Sequence, residues 1–218
     1  MKLLDIDNFY CLMITERCNF SCKYCCASFR KETALSKIEN DIESVIHLFN
    51  TVKPGLITLS GGEPTIAKNT ERLLEWLPQH KFAAFSNGSC LPKWIFYDNF
   101  ILPIVTYHSD CINESVFIKN VKTLFDYGKK VIVKIICKPD ENTLPVDIWE
   151  KLWSIGIPAH FVPLEYDYYF PLDIIQKVSN EYLTSCLYNS RFFRPEPASI
   201  PECICQGGTK DMFEITSK

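Results

Sequence analysis

No stretch of the chain approaches the roughly 20 consecutive apolar residues that a helix needs to cross a bilayer. The opening MKLLDIDNFY also lacks a signal-peptide layout. These absences make a cytoplasmic protein with no membrane partner the expectation. Positive charge is scarce too: 23 Lys and Arg against 26 Asp and Glu leave a formal net charge of −3, with no long basic tract. An extended nucleic acid is therefore not an expected partner, although a small nucleotide is not excluded. The phosphate loop G-x-x-x-x-G-K-[ST] is missing, which argues against ATP binding by that route. No Ser/His/Asp arrangement points to a hydrolase. His47 lies in an amphipathic run and reads as a helix-face residue, while His80 and His160 have no evident partners in the sequence.

Cysteine, by contrast, is plentiful without being dense. Eleven in 218 residues is about 5%, below the roughly 8 to 10% that marks small disulfide scaffolds. The number is also odd. A reducing compartment, in which thiolates bind metal or lie buried, accounts for this better than a disulfide framework does.

With 47% apolar and 22% charged residues, the chain can bury one sizeable core. Short apolar runs at 9–14 (FYCLMI), 56–60 (LITLS), 81–86 (KFAAFS), 103–107 (PIVTY), 130–137 (KVIVKIIC) and 159–164 (AHFVPL) read as strands. Amphipathic segments near 36–51, 68–77, 113–127 and 145–155 read as helices, with a weaker one at 91–100. The strands are nearly continuous in apolar character, the pattern of parallel strands covered on both faces. Six βα units are about two short of a closed eight-stranded barrel, which usually takes about 250 residues. The predicted fold is α/β: an open, six-stranded parallel (β/α)6 partial TIM barrel over residues 1–170. A C-terminal helix and cysteine-containing, irregular tail over 171–218 would pack on it.

Several strands leave through polar turns: SGGEP, SNG, HSD and KPDEN. Ligands of parallel α/β folds gather outside the carboxyl ends of the strands. The loop after the first strand, TERCNFSCKYCCASF, opens onto that same edge. Its Cys18, Cys22 and Cys25 have the spacing C-x3-C-x2-C. Three thiolates on a short loop can ligate three corners of a cubane cluster and leave the fourth iron open to a substrate or cofactor. A zinc site completed by Cys26 is the competing reading. Adjacent Cys25 and Cys26 would be awkward joint ligands of one ion, so Cys26 reads as a small buried packing residue.

At these residues the chain resembles the radical S-adenosylmethionine (SAM) superfamily, whose signature is this spacing, commonly with an aromatic before the third cysteine, here Tyr24. The resemblance implies a 4Fe-4S cluster on Cys18, Cys22 and Cys25 whose open iron chelates SAM. It implies reductive cleavage of SAM to methionine and a 5'-deoxyadenosyl radical, which abstracts hydrogen from a substrate. LITLSGGEP adds the second feature. Gly61 and Gly62 allow close backbone approach or positive φ, and Glu63 is expected to point a carboxylate into the mouth; Pro64 would enter the next helix. In the family, the GGE segment receives the SAM ammonium, a charge-assisted contact. A plain strand-to-helix turn is the alternative for GGEP, yet a zinc module has no reason to carry it one βα unit after the cysteine loop.

SNG at 86–88 resembles the TNG that often ends the third strand of such proteins, so Asn87 is a candidate SAM contact, with Asn-Gly turn formation as its alternative. His108, Ser109 and Asp110 stand where the family commonly has ribose or substrate contacts; Asp110 is also a candidate helix cap. Lys134 and Asn142 belong to a fifth strand and exit that lack the glycine-rich pattern of some members, and Glu165 reads as a solvated loop carboxylate, with reach into the mouth from the sixth strand as its alternative. Residues 172–189 read as a helix, followed by a proline-rich segment ending in a short strand, placed to cover the open edge or the mouth. Cys186, Cys203 and Cys205 faintly resemble the start of an auxiliary-cluster extension, but a complete auxiliary cluster is not expected. The implied substrate is a peptide, as for a peptide maturase. Alternatives are a small-molecule enzyme such as a nucleobase-precursor synthase, a glycyl-radical activating enzyme, or a noncatalytic metal-binding scaffold. A low-potential electron donor such as flavodoxin or ferredoxin would be a partner.

Overall fold

The computed structural model describes residues 6–25, 37–137, 145–163 and 212–215. Six strands fall where the apolar runs place them: β1 (Phe9–Thr15), β2 (Leu56–Gly61), β3 (Lys81–Ser86), β4 (Phe100–Tyr107), β5 (Ile132–Cys137) and β6 (Ala159–Pro163). The intervening helices are α1 (Lys37–Asn40), α2 (Ile42–Thr51), α3 (Thr70–Trp76), α4 (Glu114–Asp126) and α5 (Val146–Ser154). The stretch 91–100 holds one 3-10 turn, Lys93–Phe96, rather than a helix.

The strands form an open parallel sheet in sequential order, as expected for a partial barrel. A seventh strand, β7 (Met212–Ile215), adds to the free edge of β1, with Phe9 opposite Met212 and Leu12 opposite Ile215. The final order is β6-β5-β4-β3-β2-β1-β7. β4 begins three residues before the Pro103 that the sequence takes as its start. The ladder to β3 passes from Phe82–Phe100 to Ala83–Leu102, so Ile101 is an extra residue in β4. Such an irregularity is where a sheet tolerates a proline, which cannot donate to the ladder.

One face of the sheet carries the main core. Leu12, Ile14, Ile57, Leu59, Phe82, Val105, Val133 and Ile135 meet Phe49, Leu73, Phe117, Val121, Leu124 and Leu152 from the helices. Each such side chain contributes roughly 1.5–3 kcal/mol on burial. The helices present these residues at i, i+3, i+4 and i+7: Ile42, Val45, Ile46 and Phe49 on α2, for example. Side-chain caps fix where they start, with Asp41 accepting from Ser44 N and Asn113 from Ser115 N. Asp110 therefore does not cap α4; Asn113 does.

The opposite face has a smaller cluster of Leu56, Ala83 and Leu102, with half-buried Phe9, Ile104 and Ile132 around it. Among the described residues helices cover only one face, unlike the expectation drawn from the continuous apolar runs. His80 is fully buried at the helix-covered side, between Gly55 N and the Phe49 carbonyl, which is a structural role. His47 is exposed on α2.

Candidate functional site

The cysteine loop leaves β1 under a clamp. Thr15 is buried, and its Oγ1 donates to Glu39 Oε2 at 2.8 Å while accepting from Arg17 N at 3.1 Å. Arg17 pairs with Glu39 at 2.6 Å and donates to the Ile66 carbonyl at 3.2 Å; Lys68 N also donates to Glu39. Glu39 is only 2% exposed. Its charge is thus shared among the loop entry, α1 and the turn after β2, which fixes the backbone just before Cys18.

The glycine pair acts on the same backbone. Gly62 N donates to Thr15 O and Glu63 N to Arg17 O, both at 2.7 Å. A Cβ at Gly61 would lie 2.0 Å from Thr15 O, and one at Gly62 2.0 Å from Arg17 O. Gly61 also has a φ of 110°, in the region that favours glycine. The close approach that requires these glycines is to the cysteine loop itself.

Glu63 differs from expectation. The residue is 1% exposed, and its carboxylate lies between strand exits instead of standing in the open mouth. Oε1 accepts from Thr65 N (3.0 Å), Thr65 Oγ1 (2.6 Å) and Ser86 Oγ (2.9 Å), and Oε2 from Asn87 N (2.6 Å). Pro64 opens the 3-10 turn that Glu63 caps. All four donors are neutral, and among the described residues no ion pair includes Glu63. A buried carboxylate without a cationic partner favours a positive charge nearby.

Asn87 is 5% exposed and forms the Asn-Gly turn considered for it. Gly88 takes a φ of 69° to make the turn, while Asn87 Nδ2 donates to Asn19 Oδ1 at 2.8 Å and lies 4.0 Å from Cys18 Sγ. Asn19 in turn donates to Ser89 Oγ at 2.8 Å. His108 completes the ring of strand exits. Its Nδ1 is 2.9 Å from Tyr24 Oη, the two rings stack at 5.9 Å, and Phe20 meets the imidazole edge-on at 6.0 Å. Asp110 is exposed on the following turn.

Cys18 and Cys25 are exposed and Cys22 is half-buried, on a turn closed by Cys25 N to Cys22 O at 3.1 Å. Burial pushes the Cys18 thiol up, and pushes Cys22 up to about 12 with help from Cys111. Without metal these groups are thiols, so metal uptake must release their protons. Among the described residues no three His, Cys, Asp or Glu side chains converge on a single-ion site. Three soft thiols on one loop, beside a buried uncompensated carboxylate, fit a cluster and a cationic ligand.

The structure thus brings together Cys18, Cys22, Cys25, Tyr24, Gly61, Gly62, Glu63, Pro64, Asn87 and His108, with Asp110 at the rim. Lys134 and His160 stand side by side on β5 and β6, with Lys134 Nζ 5.1 Å from the Phe85 ring centroid. Cys26, Asn142, Glu165, Cys186, Cys203, Cys205 and the expected helix 172–189 lie outside the described residues. Sequence reasoning missed Arg17, Glu39, Ser86 and Cys111, whose partners lie 22 to 89 residues away.

Residues 9–92 match the family described as a 4Fe-4S single cluster domain. That span holds β1 to β3, the cysteine loop and GGEP. A GTP 3',8-cyclase from Haemophilus ducreyi is 33% identical over 84 residues, covering 35% of this chain and 25% of that protein. Among solved structures, Streptococcus suis SuiB bound to precursor peptide SuiA is similar with a TM-score of 0.57 at 17% identity, covering 81% of this chain and 45% of that one. Native anSMEcpe with bound AdoMet and Cp18Cys peptide gives 0.57 at 15% identity, covering 74% and 53%. The chain thus spans about half the length of these solved structures and matches a quarter of the cyclase. The fold is that of an open α/β partial barrel. Over residues 9–92 the chain is similar to 4Fe-4S single cluster domains, and beyond them the likeness to the solved structures is one of fold.

Proposed function

We propose that the protein is a radical SAM enzyme acting on a peptide, a peptide maturase. The observation that carries the enzyme reading is the locking of the cysteine loop to the GGEP turn by Gly62 N–Thr15 O and Glu63 N–Arg17 O. That contact holds three thiols and an uncompensated carboxylate at one sheet edge. Cys18, Cys22 and Cys25 give up their protons to hold three irons. A cluster held by these three thiols would keep an open site for SAM. When bound, the cluster supplies the electron that cleaves SAM to methionine and a 5'-deoxyadenosyl radical. The Gly61–Gly62 backbone and the Glu63 charge receive the methionyl ammonium, and Asn87, His108 and Asp110 border the nucleoside side. A low-potential donor such as flavodoxin or ferredoxin reduces the site.

The peptide substrate is supported by the peptide-bound structures to which the fold is similar. The cyclase match favours a second reading, a small nucleotide-like substrate. Anaerobic reconstitution tests the enzyme reading: about four irons should load, and a strong reductant should yield 5'-deoxyadenosine from SAM. A loaded protein that never makes 5'-deoxyadenosine would instead be a noncatalytic cluster scaffold. Isotope transfer from a candidate peptide into 5'-deoxyadenosine, set against transfer from a nucleotide, separates the two substrate classes.

A further inference from the structure

Cys111 belongs to none of the groups assigned so far. It follows β4 by four positions and lies 89 residues from Cys22 in sequence, yet the two sulfurs are 3.5 Å apart. Their apposition is set by backbone. Cys111 sits on a turn closed by Cys111 N and Ile112 N to the His108 carbonyl, at 2.9 and 3.2 Å. Cys22 sits on the turn closed by Cys25 N. The Tyr24–His108 hydrogen bond and ring stack, with Phe20 edge-on, brace one turn against the other. Cys22 Sγ also lies 3.7 Å from His108 Nδ1. A change of rotamer at either cysteine leaves the two turns facing.

In the metal-free protein either thiol can be the donor. A metal-bound Cys22 is a thiolate, which accepts only. Of the two sulfurs, only that of Cys111 can then be the donor across the 3.5 Å contact.

We infer that Cys111 is a positioning residue whose S–H donates to the Cys22 ligand sulfur and thereby tunes the reduction potential of the cluster. This rests on the reading of Cys22 as a cluster ligand. Reduction adds negative charge that spreads onto the ligand sulfurs, so a hydrogen bond to one of them stabilises the reduced state more than the oxidised state. The donor therefore raises the potential and makes the first electron easier to deliver. Ala at this position removes the donor; Ser keeps an O–H of similar reach.

The test uses the full chain, reconstituted anaerobically, with iron quantified and the midpoint potential read by an EPR-monitored redox titration. Wild type, Cys111→Ala and Cys111→Ser are expected to hold equal iron. The reduction equilibrium of Cys111→Ala should fall by on the order of tenfold, about 59 mV for a one-electron couple, and Cys111→Ser should return to the wild-type value or above it. An unmoved potential in a fully loaded Cys111→Ala overturns the inference while leaving Cys22 as a ligand. Equal downward shifts in Ala and Ser overturn it as well, because they would report packing. Loss of iron in both variants would make Cys111 a ligand and not a donor. A wild-type chain that takes up no cluster overturns this inference together with the reading on which it rests.

Discussion

Substitution can separate the brace that Glu63 forms from the SAM-binding charge proposed for it. Replacing it by Ala removes, at a site 1% exposed, the acceptor of two backbone N–H groups and two hydroxyls. Hydroxyls can turn towards other acceptors, whereas Thr65 N and Asn87 N cannot. An unsatisfied buried donor costs about 1–3 kcal/mol, so a loss of about 3 kcal/mol is expected, or about 6–12 °C in Tm for a chain of this size. Glu63→Gln keeps an oxygen for the Thr65–Ser86 side and disturbs only the Asn87 contact, so its Tm should fall by less. It does remove the charge. Losing a hydrogen bond to a charged group costs about 1.5–3 kcal/mol, and SAM affinity should weaken by about ten- to a hundredfold. Thermal unfolding of the metal-free variants reads the first effect, and equilibrium dialysis of SAM against the reconstituted Gln variant reads the second. A Glu63→Ala protein with unchanged Tm would refute the brace. A Glu63→Gln protein with wild-type SAM affinity would refute the charge.

Gly61→Ala places a Cβ against Thr15 O at a φ of 110°. We expect a stability loss of about 1–3 kcal/mol from backbone strain alone, with reduced iron uptake although no thiol is altered; full iron loading would argue against the lock between the two loops. Glu39→Gln breaks a buried pair with Arg17 and should cost about 3 kcal/mol, read as a lowered urea midpoint. His160 is held below its ordinary range by burial and then by Lys134. The folded state therefore favours the neutral ring, and the unfolded chain takes the proton first. The resulting stability is present above about pH 6.5 and is lost as pH falls below it. Urea midpoints at about pH 7 and pH 5 should differ less in His160→Asn than in the parent, and equal differences would discount the residue.

The order and direction of the six strands were legible because each is a short apolar run followed by polar punctuation, and that pattern survives without knowledge of any contact. The cysteine loop and GGEP were legible for the same reason: their chemistry is local. What escaped is what depends on distant partners. Glu39 looked like one more acidic residue of an amphipathic segment, yet it is buried because Arg17 and Thr15 come to it from 22 and 24 residues away. Cys111 carries no spacing relation to other cysteines and becomes visible only once β4 delivers it to Cys22. The direction of Glu63 was misjudged because the donors that draw it inward, Ser86 Oγ and Asn87 N, belong to the next strand exit. The one-sided helix cover was hidden because half-buried positions such as Phe9 and Ile132 are as apolar as the core positions beside them.

The pairing of β7 with β1 also has a consequence in time. β1, which delivers the cysteine loop, has its β2 partner within about 50 residues of synthesis, but its other edge waits for residues 212–215. At about 5–20 residues per second that interval lasts on the order of 10–40 s on the ribosome. Throughout it, the strand that leads into the cysteine loop lacks, among the described residues, a partner on that edge, which is open to mispairing with other nascent chains. Cluster delivery after release of the chain would meet a sheet already closed on that side, whereas delivery during synthesis would meet one still exposed.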